Sequence, residues 1–166
     1  MSKISLIVNG RQRSAEIEGR TLLVDLLRGP LGLTGTHVGC DTSQCGACVV
    51  RLNGDTVKSC SVLAATLESN SEITTIEAIA DADELHPMQR AFSQCHGLQC
   101  GFCTPGLIIT AIDIVEKHPE GLSADMVRKE LKGNLCRCTG YQNIVAAVLK
   151  GAEDMGFPAR IKAENA

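Results

Sequence analysis

Four cysteines in the second half of the chain have the residue type and spacing of a metal site. Two residues separate Cys100 from Cys103, one residue separates Cys136 from Cys138, and each pair comes just before a segment with helical periodicity. Thiolates are the ligands that zinc and iron–sulfur clusters select in proteins. A helix N-terminus beside each pair would stabilise the negative charge of such ligands. The four residues predict one metal centre between two helix starts, and this spacing leaves both zinc and an iron–sulfur cluster open.

A second set of cysteines lies in the first half of the chain and consists of Cys40, Cys45, Cys48 and Cys60. The order C-x4-C-x2-C…C is the plant-type spacing of a [2Fe–2S] cluster. We expect Gly39 and Gly46 to let backbone N–H groups turn towards the sulfurs, because glycine adopts conformations that other residues avoid. Structural zinc sites favour two equal C-x2–4-C knuckles, so zinc is the weaker alternative for this set.

One further thiol, Cys95, and two histidines, His37 and His96, are other potential metal-binding side chains near the two sets. The chain has nine cysteines and no secretory signal over residues 1–8, which favours metal ligation over disulfides because cytosolic thiols stay reduced. Cys95 falls outside both sets and is expected to be a buried, inert thiol. His37 and His96 precede the two sets, but both cysteine quartets are complete without them. We therefore interpret the histidines as polar packing residues.

Residues 1–77 have the pattern of a small α+β domain. Alternating apolar residues and two Asn-Gly turns predict two hairpins and a last strand, at residues 3–8, 14–18, 49–52, 56–59 and 73–76. A short helix is predicted over residues 22–27, with Thr21 as its cap and Gly29-Pro30 as its stop. The Gly-rich segment that carries the first three cysteines is predicted to be a loop attached to this sheet.

Residues 78–155 have helical periodicity and are predicted to form a four-helix domain. The predicted helices cover residues 87–95, 107–117, 124–132 and 141–155. Thr104 and Ser123 are predicted to be helix caps, and Pro105 suits the first turn because no donor is needed there. Residues 156–166 contain Pro158 and mixed charge, and are predicted to be a C-terminal tail that packs on a partner or is disordered.

The composition argues against several classes of function. A net charge of −3 and a pI near 5.8, without a basic stripe, argue against nucleic-acid binding. The longest apolar run is interrupted by Asp113, so no transmembrane segment is predicted. No glycine pattern matches a dinucleotide fingerprint, so NAD binding is not expected. Aromatic residues make up only 2% of the chain, and its cores must therefore be aliphatic.

Three stretches of the chain resemble the motifs of one enzyme family. Residues 39–48 (GCDTSQCGAC) resemble the first cluster loop of the molybdenum hydroxylases. Residues 99–106 (QCGFCTPG) and 133–141 (GNLCRCTGY) resemble the second cluster motifs of that family. The likeness extends over residues 3–152 and is to the separate iron–sulfur subunit, as in carbon monoxide dehydrogenase, quinoline and nicotine dehydrogenases and 4-hydroxybenzoyl-CoA reductase.

The resemblance implies a plant-ferredoxin-like (β-grasp) domain followed by a four-helix domain, each with one [2Fe–2S] cluster. Gln99 and Cys138 would lie against a pterin and form hydrogen bonds to it. The chain would carry electrons as a subunit of an oxidoreductase, and no catalytic residue of its own is expected. The implied ligand sets are Cys40, Cys45, Cys48 and Cys60 for the first cluster and Cys100, Cys103, Cys136 and Cys138 for the second.

The same resemblance implies partner subunits and their cofactors. A large subunit would hold molybdopterin, in its cytosine dinucleotide form, and a medium subunit would hold FAD, in a dimer of heterotrimers. Electrons would pass from the molybdopterin through both clusters to FAD or to an external acceptor. The implied location is the cytoplasm, or the periphery of the inner membrane. A stand-alone two-cluster ferredoxin-like carrier is the alternative function, and the substrate stays open.

Overall fold

The computed structural model describes residues 1–81 and 84–158 of the chain. The first part of the chain forms a sheet with one short helix, and the second part is helical. The strands are β1 (Ser2–Val8), β2 (Arg11–Ile17), β3 (Val49–Leu52), β4 (Asp55–Lys58) and β5 (Glu72–Thr74). The helices are α1 (Leu23–Arg28), α2 (Pro87–Gln94), α3 (Thr104–Lys117), α4 (Ala124–Glu130) and α5 (Gln142–Asp154). Short 3-10 turns lie at Ser59–Ser61, Ala64–Thr66, Ile76–Ala78 and Leu131–Gly133. This architecture confirms the α+β prediction.

The sheet is mixed and has the strand order β2-β1-β5-β3-β4. Both hairpins are antiparallel, whereas β1 and β5 run parallel. Asn9 and Gly10 form the first turn with φ of +53° and +71°, as expected for an Asn-Gly hairpin. Alternate residues of β1, Leu6 and Val8, are buried in one core with α1. The thiol-bearing loop leaves this core after α1 and returns to it at β3.

Two predicted element boundaries in the first part are wrong. Thr21 does not cap α1: Leu22 takes the cap position, and no side chain caps the helix. Leu22 forms a β-bridge with Leu63, and the Thr21 carbonyl accepts a hydrogen bond from the Ala64 N–H at 2.8 Å, so a neighbouring segment fixes this entry to the helix. The strand β2 begins at Arg11 rather than at residue 14, because pairing with β1 continues up to the turn.

The start of α3 also differs from the prediction. Cys103 occupies the cap position, so Thr104 is already the first helical residue and Pro105 lies in the first turn. The buried hydroxyl of Thr104 has no hydrogen-bond partner among the described residues. The backbone of Cys103 is itself close to helical, and the cysteine turn therefore continues directly into α3. The cap prediction for α4 is confirmed, because Ser123 Oγ accepts a hydrogen bond from the Met126 N–H at 3.3 Å.

Helices α2 to α5 surround a second hydrophobic core. Phe92, Leu107 and Val148 are fully buried in this core. Gly151 lets α5 lie directly against α2, since a Cβ at that position would be 2.5 Å from Met88 Sδ. Among the described residues, no helix has both the length and the apolar composition needed to cross a bilayer.

The two parts of the chain meet where β3 and β4 contact α3. The buried carboxylate of Asp113 accepts hydrogen bonds from Thr56 Oγ1 at 3.1 Å and from Lys117 Nζ at 2.9 Å. Arg51 of β3 pairs with Glu116 of α3. A buried carboxylate is tolerated only when such partners replace its hydration. These polar contacts therefore fix α3, and with it the Cys100–Cys103 turn, relative to the sheet.

Residues 156–158 pack on the helical core of the chain itself. The Phe157 N–H donates to the Ala152 carbonyl at 2.9 Å, and the Phe157 ring is partly buried against the core. A Cβ on Gly121 would be 2.3 Å from the carbonyl oxygen of Pro158. The predicted C-terminal tail over residues 156–166 thus begins by packing on its own chain. Residues 159–166 lie outside the described residues, and the rest of that prediction lies there too.

Candidate metal centres

The β3–β4 hairpin brings half of the first cysteine set together. Cys48 is buried directly before β3, and Cys60 lies in the 3-10 turn directly after β4. Ser59 next to Cys60 donates from its backbone N–H at 3.2 Å and from its hydroxyl at 2.7 Å to the Cys48 carbonyl. The thiols of Cys48 and Cys60 are consequently close enough to influence each other's ionisation. A regular antiparallel register therefore positions two of the four sulfurs.

The other half of the first set lies in the loop before the hairpin. The Cys45 N–H donates to Cys40 Sγ at 3.4 Å. Backbone N–H groups of Cys45, Thr42 and Gln44 lower the pKa of the Cys40 thiol to about 6. Burial raises the pKa of the Cys48 thiol to about 11. Because a metal takes the thiolate and releases its proton, the loop supplies one thiol that ionises readily and one that ionises on metal binding.

The second set is assembled from two separate loops. Cys100 Sγ and Cys138 Sγ lie 3.5 Å apart, and the Cys103 and Cys136 thiols are close enough to influence each other's ionisation. Burial raises the pKa of the Cys103 thiol to about 12. Burial also acts against ionisation of Cys136, but hydrogen bonds from the Thr139 hydroxyl and nearby backbone N–H groups outweigh it and lower the pKa of Cys136. Each set thus combines a thiol of lowered pKa with one of raised pKa.

The thiols approach one another in pairs rather than as compact quartets. Within residues 1–81 and 84–158, no group of three or more His, Cys, Asp or Glu side chains is arranged to hold a single metal ion. A [2Fe–2S] cluster takes four cysteine sulfurs over two irons, and two pairs of thiols suit it. All nine cysteines are free thiols. The donor chemistry and the paired arrangement both fit a [2Fe–2S] cluster at each set.

The second thiol set opens onto a cavity that the first loop helps to line. The cavity has a volume of about 210 Å³. A Cβ on Gly39 would be 3.4 Å from the Phe102 ring and 3.2 Å from Cys45 Sγ, so the two loops are in van der Waals contact at this point. The two centres are therefore neighbours that share a wall. The lining residues are Gly39, Cys45, Ala47, Cys100, Phe102, Cys103, Leu135, Cys136, Arg137 and Cys138.

A backbone hydrogen bond connects a cysteine of one set with the residue before a cysteine of the other. The Leu135 N–H, directly before Cys136, donates to the Cys45 carbonyl at 2.7 Å. Buried Asn134 donates from its side chain to the Gly46 carbonyl at 3.4 Å and to Thr110 Oγ1 at 3.1 Å. A covalent and hydrogen-bonded route between the two sets therefore runs from Cys45 through Leu135 to Cys136.

Tyr141 holds the loop that carries Cys136. Its hydroxyl accepts a hydrogen bond from the Cys136 N–H at 2.8 Å and donates to the Asn134 carbonyl at 3.0 Å. Its own backbone has a φ of +67°, which a non-glycine residue adopts only when its surroundings hold it there. The Thr139 hydroxyl accepts a hydrogen bond from the Tyr141 N–H at 3.1 Å and contacts Cys136 Sγ at 3.2 Å. The Cys136–Cys138 turn is thus fixed from several sides.

Two of the predicted site residues lie on the surface of the chain. Gln99 and Cys138 are exposed, and Cys100 is exposed beside them. Large apolar side chains near this surface are exposed as well: Phe102 is 48% exposed and Leu135 is 61% exposed. The second centre therefore has an open, partly apolar face with two exposed thiols, whereas no thiol of the first set is exposed.

Several residues that shape the site were not identified as functional from the sequence. His37 stacks on Phe102 with ring centroids 4.7 Å apart, and its Nδ1 forms a hydrogen bond with the Phe102 carbonyl at 2.8 Å. This contact agrees with the interpretation of His37 as a packing residue and shows that it joins the two cysteine loops. Asn134 and Tyr141 lie within residues 133–141, which resemble a family motif, but only their contacts in the structure show that they hold the cysteine loops in place. Cys95 is partly buried at the end of α2.

Two known protein families match the chain, one over each part. The family described as 2Fe-2S iron-sulfur cluster binding domain matches residues 6–75. The family described as [2Fe-2S] binding domain matches residues 75–149. Together the two matches cover all eight cysteines of the two sets.

Named relatives and solved structures are similar over almost the whole chain. The 6-hydroxypseudooxynicotine dehydrogenase complex subunit beta of Paenarthrobacter nicotinovorans is 46% identical, over 89% of this chain and 91% of the relative. A chain of quinoline 2-oxidoreductase from Pseudomonas putida 86 superposes with a TM-score of 0.88 at 39% identity, covering 95% of this chain and 98% of that one. The aldehyde oxidoreductase of Desulfovibrio desulfuricans superposes with a TM-score of 0.89 at 40% identity, covering 94% of this chain but only 17% of that longer chain.

Proposed function

Since the chain belongs to the family of iron–sulfur subunits of the molybdenum hydroxylases, and is thus an electron-transfer subunit of an oxidoreductase complex, we propose that it receives electrons at its open second centre and passes them on from its first. The observation that carries this proposal is the pair of four-thiol sites with a shared wall, one of them open at the surface. When bound, a [2Fe–2S] cluster supplies one-electron redox chemistry.

The two centres divide between two units of the chain. The first set, Cys40, Cys45, Cys48 and Cys60, belongs to a ferredoxin-like β-grasp unit over residues 1–77. The second set, Cys100, Cys103, Cys136 and Cys138, belongs to a four-helix unit over residues 78–155. The thiol contacts within each set and the backbone donors to Cys40 and Cys136 support this assignment.

Gln99 and Cys138 form the entry side of the proposed path. Both are exposed next to Cys100, so a partner can reach them without any movement of the backbone. The amide of Gln99 can both donate and accept hydrogen bonds, which matches the edge of a pterin ring. Exposed Phe102 and Leu135 offer apolar contact around the same point. We propose that this face docks on a large subunit and places Gln99 and Cys138 against its molybdopterin, in the cytosine dinucleotide form.

The route between the centres uses residues of this chain alone. The Leu135 N–H donates a hydrogen bond to the Cys45 carbonyl at 2.7 Å. Because Leu135 is covalently linked to Cys136, a single hydrogen bond connects the backbone of Cys45 in the first set with that of Cys136 in the second. His37 and Asn134 form further hydrogen bonds between the two cysteine loops. The role of these residues is to hold the two centres at a constant separation and to keep bulk water from the space between them.

The relatives support a complex of several subunits, since one of them is named as the subunit beta of a dehydrogenase complex. The segment similar to this chain is a small fraction of the aldehyde oxidoreductase chain, so that protein continues into a much longer polypeptide. We propose a separate large subunit here, a medium subunit with FAD as the usual electron acceptor, assembly as a dimer of heterotrimers, and a cytoplasmic location. Substrate chemistry takes place on the large subunit, and the acceptor is FAD or an external carrier.

The proposal predicts the metal content of the purified protein. About four irons per chain and two distinguishable [2Fe–2S] EPR signals after reduction are expected, because each site takes four cysteine thiolates. Elemental analysis for iron and zinc, together with EPR of the dithionite-reduced protein, is the measurement. Stoichiometric zinc in either site, or a single cluster signal from fully loaded protein, would contradict the assignment.

The entry side can be tested with Gln99→Ala. We expect the affinity of the chain for its large subunit to fall by up to about tenfold, since a hydrogen bond contributes about 1 kcal/mol. Reduction of the clusters by substrate through the large subunit should slow as well. Gln94→Ala, which changes an exposed glutamine on α2, is the matched control and should change neither quantity. Unchanged affinity and unchanged reduction rate in Gln99→Ala would place the pterin elsewhere.

A further inference from the structure

Lys58 connects the two halves of the first cysteine set. It is the last residue of β4, pairs with Val49 across the hairpin, and lies two residues before Cys60. Its side chain is half-buried and extends to the loop between Cys40 and Cys45. There the ammonium group donates to the Ser43 carbonyl at 2.7 Å and to the Gln44 carbonyl at 3.2 Å. The positive charge of Lys58 is therefore fixed against the loop that carries Cys40 and Cys45.

Ser43, the residue that Lys58 holds, also touches the first set. Its hydroxyl lies 3.7 Å from Cys60 Sγ, so one residue connects the ammonium group to a thiol. The φ of Ser43 is +57°, a conformation that is unfavourable for a residue with a Cβ. Two carbonyl contacts to one ammonium group offset that strain. Lys58 consequently has two separable effects, one on the shape of the loop and one on the charge near the sulfurs.

The other charges near the two centres are more exposed to solvent. Asp41, beside Cys40, is exposed, and so is Lys132, which lines the cavity of about 570 Å³ that Lys58 also lines. Arg137 is exposed between the two cysteines of the second set. Water and salt weaken the field of exposed charges much more than that of buried ones. The charge of Lys58 is therefore less screened by solvent than that of Asp41 or Lys132.

We propose that Lys58 sets the reduction potential of the first centre: its ammonium group stabilises the extra negative charge that this centre carries after reduction. This inference rests on the proposed function of the chain. Reduction adds one electron to the first centre and removes one from the second, without making or breaking a bond and without a proton. A cation beside the first centre favours the reduced form there. Lys58 thereby favours electron transfer towards the first centre.

The test is an EPR-monitored redox titration of the holoprotein. Lys58→Gln keeps an amide donor for the loop but removes the charge. It should lower the midpoint potential of the first-centre signal and leave that of the second unchanged. Lys58→Arg should keep both potentials close to those of the wild type, and Lys132→Gln is the matched surface control that should change neither. An unchanged first-centre potential in loaded Lys58→Gln would overturn the proposal.

A second pair of variants separates the charge from the shape of the loop. Glycine adopts the φ of Ser43 without strain, so in Ser43→Gly the loop no longer needs the ammonium group to hold its shape. The double variant Ser43→Gly/Lys58→Gln should then show a lower first-centre potential than Ser43→Gly. Equal potentials, or failure of the double variant to load where Ser43→Gly loads, would show that Lys58 only holds the loop. Failure of the proposed function is distinguishable, because wild-type protein would then lack the two signals.

Discussion

Gly46→Ala is expected to destabilise the folded protein by roughly 1–3 kcal/mol more than Gly10→Ala does. The extra loss of stability comes from forcing a Cβ into a contact that has no room for it. The two glycines have nearly the same backbone, with φ of +72° and +71°. Each alanine variant therefore has the same intrinsic penalty of about 1–2 kcal/mol for a left-handed conformation. Gly10 has open space around it, whereas a Cβ on Gly46 would be 2.4 Å from the Gly133 carbonyl oxygen.

The clash at Gly46 cannot be relieved by a side-chain rotation. Gly106 of α3 meets Gly46 from the other side, and a Cβ on Gly106 would be 2.2 Å from the Gly46 carbonyl oxygen. Backbone of the first cysteine loop is therefore packed between α3 and the Gly133–Asn134 backbone. Urea denaturation of both variants and the wild type, with clusters loaded, measures the effect. Equal losses for Gly46→Ala and Gly10→Ala would show that the loops do not meet this closely.

Cys100→Ser is expected to remove one of the two [2Fe–2S] EPR signals and to reduce the iron content from about four to about two per chain. The reason is that a serine hydroxyl does not replace a soft thiolate ligand of an iron–sulfur cluster. Cys100 contacts Cys138 at the open face of the second centre, whereas the β3–β4 hairpin positions Cys48 and Cys60 of the first centre. The first centre should therefore keep its iron and its signal.

Cys95→Ser is the control for this variant. Cys95 is a free thiol close in sequence to Cys100, but it belongs to neither set and lies at the end of α2. The control should keep about four irons and both signals. Loss of a signal in Cys95→Ser, or retention of both signals in Cys100→Ser, would show that the ligand sets are wrongly assigned.

Much of the local structure could be predicted because its signals are local. The Asn9-Gly10 turn, the Ser123 cap and the change from strand to helix periodicity depend on residues close together in the sequence. The failures at Thr21 and Thr104 have a different cause. A threonine hydroxyl can cap a helix, but the Leu22–Leu63 bridge and the near-helical backbone of Cys103 decided the ends of α1 and α3. Those constraints come from neighbours that a local pattern does not contain.

The role of Gly46 was only partly predictable. The sequence suggested that Gly46 lets backbone N–H groups turn towards the sulfurs, and its positive φ agrees with that interpretation. The structure adds a contact with the Gly133 carbonyl and with α3, more than 55 residues away along the chain. The position of Lys58 is a similar case, because its carbonyl partners lie 14 and 15 residues earlier, in a loop whose path no pattern describes.

The sequence by itself determined which donor atoms are predicted, since the spacing of eight thiols in two sets indicates the chemistry wherever the loops lie. It also determined the family, since three motifs stand in order along the chain. Only the tertiary structure decided which thiols pair. The CxxC and CxC motifs suggested two half-sites, but the structure brings Cys100 Sγ to 3.5 Å from Cys138 Sγ, one cysteine from each motif. The physical reason is that this distance depends on how α3 and α5 pack, and that packing is set by the buried core between them.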